Sequence, residues 1–347
     1  MVKAQLKFTD ELYIRANYHY GFVLPEYKHH IYIVNDNVQL LELNLSKQTT
    51  GKNYWQQLYN YPDYGISLFY STLGNDEVFG REIGIYPYFN AHIITKRKFQ
   101  LNNQIGIGLG YVTKKFDLDN NYQNVSVGSK VNAHFSFEIE GKYQLLENVF
   151  LNSGIAFNHF SNSNFQEPNL GINWITLYGG LSYLTGNKIE KTKHDLKPHE
   201  PGNEFSVIYA IGGKHIGALQ TDIYFTSSIS LELKRKLFRT FYIGIGTDIF
   251  YDSGTKIEME AEGTNEYKAS DGFRSGIHLS EEFVYNKFSI IVQEGFYLLL
   301  IDMLNHKIMY NRAIFRYKIN NQLSVNISMK SHLHILDYPE LGFGYHW

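Results

Sequence analysis

The segment from residue 157 to residue 173, FNHFSNSNFQEPNLGIN, concentrates side chains that could do nucleophilic chemistry. A serine hydroxyl is a weak nucleophile until a nearby imidazole accepts its proton, and the imidazole needs a third group that fixes its tautomer and orientation. His159 and Ser161 are two positions apart, so on a strand they project to the same side and come within hydrogen-bond reach. Asn173 is able to accept a hydrogen bond from the histidine ring. The spacing therefore predicts a Ser-His-Asn constellation on a strand, a loop and a second strand.

Two further amides in this segment, Asn162 and Asn169, bring N–H donors that could stabilise the oxyanion of an acyl-transfer reaction. The competing interpretation is turn chemistry. Ser-Asn-Ser-Asn and Glu-Pro-Asn-Leu-Gly are common turn sequences, and His-x-Ser alone is a weak motif. The residue types and their spacing leave both interpretations open.

The elements that must position this segment are β-strands. The chain contains 28 Tyr and 24 Phe, and aromatic side chains fit a pleated sheet better than a helix. Apolar and polar residues alternate along residues 12–22, 131–142 and 323–330, so each of these strands has one apolar and one polar face. The same parity places His159, Ser161 and Asn173 on the apolar face of their strands.

Alternation alone does not separate a soluble β-sandwich from a membrane β-barrel, but segment length does. The alternating segments run for roughly 9 to 12 residues, as a tilted strand that crosses a bilayer requires. Strands of soluble proteins usually have about 5 to 6 residues. The last segment, ELGFGYHW, also ends on an aromatic residue, as outer-membrane barrels commonly do. We therefore predict an all-β fold, an antiparallel transmembrane β-barrel with roughly 14 to 16 strands, with a soluble β-protein as the weaker alternative.

The stretch GNKIEKTKHDLKPHEPGN, residues 186–203, is the least strand-like part of the chain, because it is charged and carries two prolines. It divides the chain nearly in half, which leaves two arrangements open: one wide barrel, or two consecutive eight-stranded barrels. We favour the single barrel. We predict a first barrel half over 1–186 that carries the candidate site, a charged linker or periplasmic turn over 187–203, and a second half of unknown role over 204–347.

Composition argues against several other classes of protein. A formal net charge of −2 gives no global attraction to nucleic acid. The absence of cysteine excludes disulfides, thiolate metal sites and a cysteine nucleophile. The first residues contain no apolar core of the length of a secretory signal, so we expect either a cytoplasmic chain or one from which the signal has been trimmed.

Some histidine and carboxylate clusters could in principle bind a metal. His134 and Glu138 share an inward face with Glu140, and His332 and His334 form a His-x-His pair on a later strand. A barrel lumen is polar in any case. We therefore interpret these residues as lumen residues and expect neither a metal nor another cofactor.

The string HFSN followed by PNLG resembles the signature of the outer-membrane lipid A 3-O-deacylases, also grouped as acyloxyacyl hydrolase-like proteins. In that family an eight-stranded barrel carries His-x-Ser-Asn at a lipid-facing strand end, a second Asn further along, and then an acidic residue. The resemblance implies that His159 is the general base, that Ser161 is the nucleophile, and that Asn162 and Asn169 help to build the oxyanion site. Asn173 stands where the family has the acid. An amide orients a neutral imidazole but does not supply a full negative charge to an imidazolium.

What the resemblance implies is an outer-membrane serine esterase of a Gram-negative bacterium. Its substrate would be lipid A or lipopolysaccharide, from which it removes an ester-linked acyl chain at a site that faces the membrane. The alternative is a non-catalytic barrel, a pore or a structural protein, in which the motif has degenerated. The resemblance covers about the first half of the chain, and residues 204–347 contain no matching motif.

Overall fold

The computed structural model describes residues 12–25, 28–162, 166–186, 190–196, 198–216, 222–261, 263, 267–298, 308–332 and 335–347. In this part of the chain the strands form two closed antiparallel barrels of eight strands each. The prediction of an all-β antiparallel barrel is confirmed. Of the two arrangements that the sequence left open, the structure has two consecutive eight-stranded barrels and not the single wide barrel that we favoured. The reason is hydrogen bonding: the eighth strand pairs with the first, so the first barrel closes before the ninth strand begins.

The strands of the first barrel follow one another around its wall in chain order. They are β1 (Leu12–Leu24), β2 (Val38–Gln48), β3 (Asp63–Thr72), β4 (Arg81–Thr95), β5 (Phe99–Val112), β6 (Val131–Gln144), β7 (Val149–Ser161) and β8 (Ile172–Leu184). Two short helices lie in its connections, α1 (Lys28–Ile33) between β1 and β2 and α2 (Tyr54–Leu58) between β2 and β3.

The second barrel has the same simple order and closes by pairing its last strand with its first. Its strands are β9 (Asn203–Lys214), β10 (Tyr224–Phe238), β11 (Phe241–Asp252), β12 (Phe273–Tyr285), β13 (Phe288–Tyr297), β14 (Met309–Lys318), β15 (Leu323–His332) and β16 (Ile335–His346). The connection between β11 and β12 contains α3 (Thr255–Ala261) and a 3-10 helix (Ala269–Gly272). None of the described helices is long and apolar enough to cross a membrane.

Alternation along the strands decides which side chains face outward in both barrels. Apolar residues such as Leu177 and Phe343 are each 65% exposed on the outer surface. Polar residues of opposite parity are buried in the lumens, where they bond to one another. In the first barrel Arg15 pairs with Glu140, and Glu42 accepts hydrogen bonds from other lumen residues. Burying polar groups is tolerable only with such partners, so the sequence pattern dictates both the apolar exterior and the bonded interior.

An apolar layer crosses one end of the first barrel, at the end where β7 leads into β8. Its buried members come from strand ends and from the connections above them: Val23, Val38, Leu73, Val78, Phe79, Val112, Val127, Phe160, Ile172 and Trp174. Phe160 and Ile172 flank the β7–β8 connection and are fully buried. This layer therefore holds the strand ends that carry the candidate site.

The segment after the first barrel packs on the connection between β2 and β3. The Thr192 N–H donates to the Thr50 carbonyl at 2.8 Å, and the Gln57 side chain bonds both the N–H and the carbonyl of His194, at 2.6 and 3.1 Å. The separate roles that we assign to the two halves of the chain stay a prediction.

Candidate active site

His159, Ser161 and Asn173 meet at the rim of the first barrel. His159 and Asn173 are opposite each other in the pairing of β7 with β8. The His159 Nδ1 lies 2.6 Å from Asn173 Oδ1, and the His159 Nε2 lies 2.9 Å from Ser161 Oγ. The three side chains thus form one hydrogen-bonded row, in the order Asn, His, Ser.

The row lies on the outward, apolar face of the barrel wall. His159 and Ser161 are half-buried, and Asn173 is buried with 6% exposure. Further along the same faces, Ile155 and Leu177 are largely exposed. The polar row therefore interrupts a surface that is otherwise suited to contact with lipid acyl chains.

The hydrogen bonds fix the tautomer of the imidazole. A carboxamide oxygen is only an acceptor, so the His159 Nδ1 carries the proton that it donates to Asn173 Oδ1. The Nε2 is then unprotonated and accepts the hydrogen bond of the Ser161 hydroxyl. This is the tautomer in which a histidine is able to take a proton from a serine.

Gly171 is needed immediately before β8. Its φ is +73°, in the left-handed region that side chains with a Cβ rarely adopt. A Cβ at this position would also lie 3.1 Å from His159 Cε1 and 3.4 Å from Ser161 Cβ. The glycine of the PNLG string therefore lets the chain turn into β8 without displacing the imidazole.

The two residues predicted for the oxyanion site are also brought together. The backbone N–H of Asn162 donates to Asn169 Oδ1 at 2.9 Å, which closes the β7–β8 connection across its base. The Asn162 side chain donates through Nδ2 to Ser129 Oγ at 3.1 Å. The backbone N–H of Asn162 is thus bonded within the connection, and its side chain is bonded to the β5–β6 connection.

Residues of the β5–β6 connection contact this site, and sequence analysis did not identify them. Ser129 holds the Asn162 carboxamide, and the Ser126 carbonyl accepts a hydrogen bond from the Gly171 N–H at 3.0 Å. Both serines precede His159 by about 30 residues, and serine is common in loops. No local pattern in the sequence marks them, since only closure of the barrel brings the two connections together.

The other histidine and carboxylate clusters lie in the lumens. His134 Nδ1 is 3.0 Å from Glu82 Oε1, Gln104 donates to Glu138 at 2.9 Å, and Glu140 pairs with Arg15. His332 bonds the hydroxyl of Tyr297 at 3.0 Å, and His334 lies outside the described residues. Among the residues that the structure describes, no group of three or more histidine, aspartate or glutamate side chains is arranged to hold a metal ion.

Two models of known protein families match the chain, one in each half. Residues 40–182 match the family model described as lipid A 3-O-deacylase (PagL), and residues 203–347 match the model described as acyloxyacyl hydrolase, C-terminal domain. Together the two matches cover most of the chain. No curated protein matches.

Solved structures with a similar fold include a crystal structure of the outer membrane enzyme PagL and one of Neisserial surface protein A (NspA). The first has 17% sequence identity and a TM-score of 0.34, and the match covers 48% of this chain and 97% of that one. The second has 9% identity and a TM-score of 0.34, with 50% and 96% covered.

Proposed function

Because this chain belongs to the family of lipid A 3-O-deacylases and acyloxyacyl hydrolase-like proteins, we propose that it hydrolyses an acyl ester of lipid A. In this proposal Ser161 is the nucleophile, His159 is the general base, and Asn173 is the group that orients His159. The family and the barrel fold make it an ester hydrolase of the Gram-negative outer membrane. The assignment of roles to individual residues is the proposed part.

The observation that supports these roles is the hydrogen-bonded row on the outer wall. Asn173 Oδ1, the His159 ring and Ser161 Oγ are joined by contacts of 2.6 and 2.9 Å. A turn needs no such row. Polar groups on a surface that faces lipid are costly to desolvate, and where a chain keeps them they mark a functional site. A serine, a correctly protonated histidine and an orienting acceptor are the parts of a serine esterase.

The reaction follows from these contacts. The Ser161 oxygen attacks the acyl carbonyl carbon while its proton moves to His159 Nε2, and the carbonyl oxygen becomes an oxyanion. Collapse of this tetrahedral species breaks the ester bond, and His159 returns the proton to the departing sugar oxygen. A water molecule then attacks the acyl-serine with His159 again as base, which releases the fatty acid and restores Ser161.

The carboxamides of Asn162 and Asn169 are the groups that we assign to the oxyanion. Both belong to the connection that begins directly after the nucleophile. The Asn169 carboxamide accepts through Oδ1 from the Asn162 backbone N–H, and the Asn162 carboxamide donates through Nδ2 to Ser129 Oγ. Donors that are already fixed before the reaction stabilise a developing negative charge without reorganisation.

Asn173 replaces the acid of the family with a neutral amide. Its oxygen holds the Nδ1 proton and so keeps the productive tautomer of His159. It gives the imidazolium less electrostatic stabilisation than a carboxylate would, because hydrogen bonds to ionised groups are roughly twice as strong as neutral ones. We therefore expect an active enzyme whose proton transfer is slower than it would be with an acid at this position.

The lipid-facing position of the row explains the substrate class. Lipid A stays in the membrane with its acyl chains in the apolar layer, so its ester groups reach the barrel laterally, near the rim. The exposed apolar side chains below the row, such as Ile155 and Leu177, are available to the acyl chains.

The test is acyl release from purified lipid A by the protein in mixed micelles. Ser161→Ala and His159→Ala should each lower the rate by at least about 10⁴-fold and leave the heat-modifiable mobility of a folded barrel unchanged. Ser331 lies on the outward face at the end of β15 in the second barrel. Ser331→Ala is therefore the matched control and should retain the full rate. Acyl release by both the Ser161→Ala and the His159→Ala proteins at the rate of the unmodified protein would refute the assignment.

A further inference from the structure

Ala133 is the neighbour of the nucleophile on the outer wall of the first barrel. It lies on β6, directly opposite Ser161 in the pairing of β6 with β7. Both side chains point outward, because they have the parity of the exposed residues of their strands. Directly paired residues on one face of an antiparallel sheet have Cβ atoms about 5 Å apart. The Ala133 methyl group therefore lies within one side-chain width of the carbon that carries the Ser161 hydroxyl.

The outer wall is lowered at Ala133. Its neighbours along β6 on the same face are Val131 and Phe135, and its partner on β5 is Leu109. Val131 and Leu109 are largely exposed, and all three side chains extend further from the wall than a methyl group. Ala133 is itself partly exposed. These three side chains therefore surround a shallow depression that has Ser161 on its fourth side.

The opposite side of Ser161 leaves less room. A Cβ on Gly171, just before β8, would lie 3.4 Å from Ser161 Cβ and 3.1 Å from His159 Cε1. The imidazole itself lies along β7, with its Nε2 at 2.9 Å from Ser161 Oγ. Among the described neighbours of Ser161, Ala133 thus borders the side on which an ester carbonyl and the carbons attached to it can approach.

An apolar stripe leads from this depression toward the middle of the membrane. The outward residues of β6 beyond Ala133 are Phe135, Phe137 and Ile139, and the last two are exposed. From Ala133 to Ile139 the strand rises about 20 Å, and at a tilt of about 40° this is about 15 Å along the membrane normal. One leaflet of the hydrocarbon core has the same depth, about 15 Å. The stripe thus offers an acyl chain continuous apolar contact over the depth of one leaflet.

We propose that Ala133 is a specificity-determining residue: it forms the seat for the first carbons of the acyl chain that is released, and the chain runs from this seat along the outward face of β6. This inference rests on the proposed function and adds to it the path of the acyl group. An ester carbon that Ser161 attacks has to lie about 3 Å from its Oγ. The carbons next to it then lie over Ala133.

The first experiment fills the seat. Ala133→Leu should lower kcat/KM for acyl release from lipid A in mixed micelles by about tenfold or more. The loss should lie mainly in KM, since the seat contacts the acyl carbons in the bound substrate as well as in the transition state. Ala133→Gly leaves the seat open and should keep the rate. Ala16→Leu is the matched control, because Ala16 is an outward alanine of β1, away from Leu24, which pairs with Asn173.

A second experiment does not depend on turnover. The chain contains no cysteine, so Ala133→Cys introduces a single thiol. In the Ser161→Ala background, bound lipid A should slow the alkylation of this thiol by N-ethylmaleimide, measured against the same micelles without lipid A. Ala16→Cys in the same background is the control, and lipid A should leave its rate of alkylation unchanged.

Three results would overturn the seat. They are an unchanged kcat/KM in Ala133→Leu, an equal loss of kcat/KM in Ala133→Gly, and an equal effect of lipid A on the alkylation of the Ala133→Cys and Ala16→Cys proteins. If Ser161→Ala still releases the acyl chain, the proposed function fails instead, and the alkylation experiment then decides the seat by itself.

Discussion

The two barrels share one strand pattern and a polar lumen but differ at the outward end of their seventh strands. In the first barrel, the outward face of the seventh strand ends with His159 and Ser161, which bond to each other. In the second barrel, the corresponding strand is β15, and its outward face ends with Met329 and Ser331. A serine stands at the strand end in both, but the residue two positions earlier on the same face is a histidine in the first barrel and a methionine in the second.

The lumen of the second barrel holds a cluster of buried charged groups. Asp248 accepts hydrogen bonds from His278 at 2.6 Å, Tyr310 at 2.5 Å and Arg312 at 3.1 Å. This histidine has an acidic partner where His159 has an amide, and its other ring nitrogen lies 3.2 Å from Gln293 Nε2 and 3.5 Å from Glu232 Oε1. A His-acid pair inside a barrel satisfies buried charge, whereas a His-Ser pair on the outward wall calls for a functional explanation.

After loss of the nucleophile or of the base, the largest expected effect in the site comes from removing the acceptor of His159. Asn173→Leu has a similar size but cannot hold the Nδ1 proton, so the imidazole loses its tautomer and orientation. We expect acyl release to fall by about 10³-fold, measured on lipid A in mixed micelles. A near-normal rate in a folded Asn173→Leu protein would remove Asn173 from the mechanism.

The next largest effect is expected in the free energy of unfolding, from a substitution in the lumen of the second barrel. Arg312→Met removes the guanidinium that pairs with the buried Asp248 at 3.1 Å, and breaking a buried ion pair costs about 3 kcal/mol or more. We expect this loss in the free energy of unfolding, measured by urea titration in detergent. The rate of acyl release per folded molecule should stay the same. A parallel loss of activity would show that acyl release depends on the second barrel as well.

A smaller effect is expected at the turn into β8. Gly171→Ala places a Cβ at positive φ, which costs about 1–2 kcal/mol, and crowds His159 Cε1. Acyl release should fall by about tenfold as the imidazole shifts. Gly202→Ala is the control, since a Cβ there has no neighbouring atom within 4 Å. Equal rates for both variants would contradict the close fit at Gly171.

The smallest expected effect is an increase in the rate of acyl release. Asn173→Asp restores the acid of the family beside His159, and a charged acceptor stabilises the imidazolium that forms as Ser161 attacks. We expect a rise of about tenfold, which corresponds to about 1.4 kcal/mol, in kcat for acyl release. An unchanged or lower rate in a folded variant would mean that this position does not act through the charge on His159.

The alternation of apolar and polar residues was enough to predict an all-β barrel and the outward face of its strands. Period-two patterns such as residues 131–142 determine which face of a strand is outward, and the same parity put His159, Ser161 and Asn173 on one surface. It did not determine where the barrel closes. Closure depends on pairing between β1 and β8, whose partners Ala16 and Leu181 lie far apart in the chain.

The candidate site was predictable where its residues are local. His159 and Ser161 are neighbours on one strand, and Asn173 is opposite His159 because a short connection sets the register of β7 with β8. The hydrogen bond between Ser129 and Asn162 was not predictable. It depends on the packing of one connection against another, and only the folded barrel determines that contact.

The most direct test of the central claim is the mass spectrum of lipid A from Gram-negative cells that produce the protein. We predict that the unmodified chain removes one ester-linked acyl mass from lipid A and that Ser161→Ala leaves the lipid A of these cells intact. Identical spectra from cells with either form, with or without the loss of an acyl chain, would contradict the claim that Ser161 on the outer wall of the first barrel is the nucleophile.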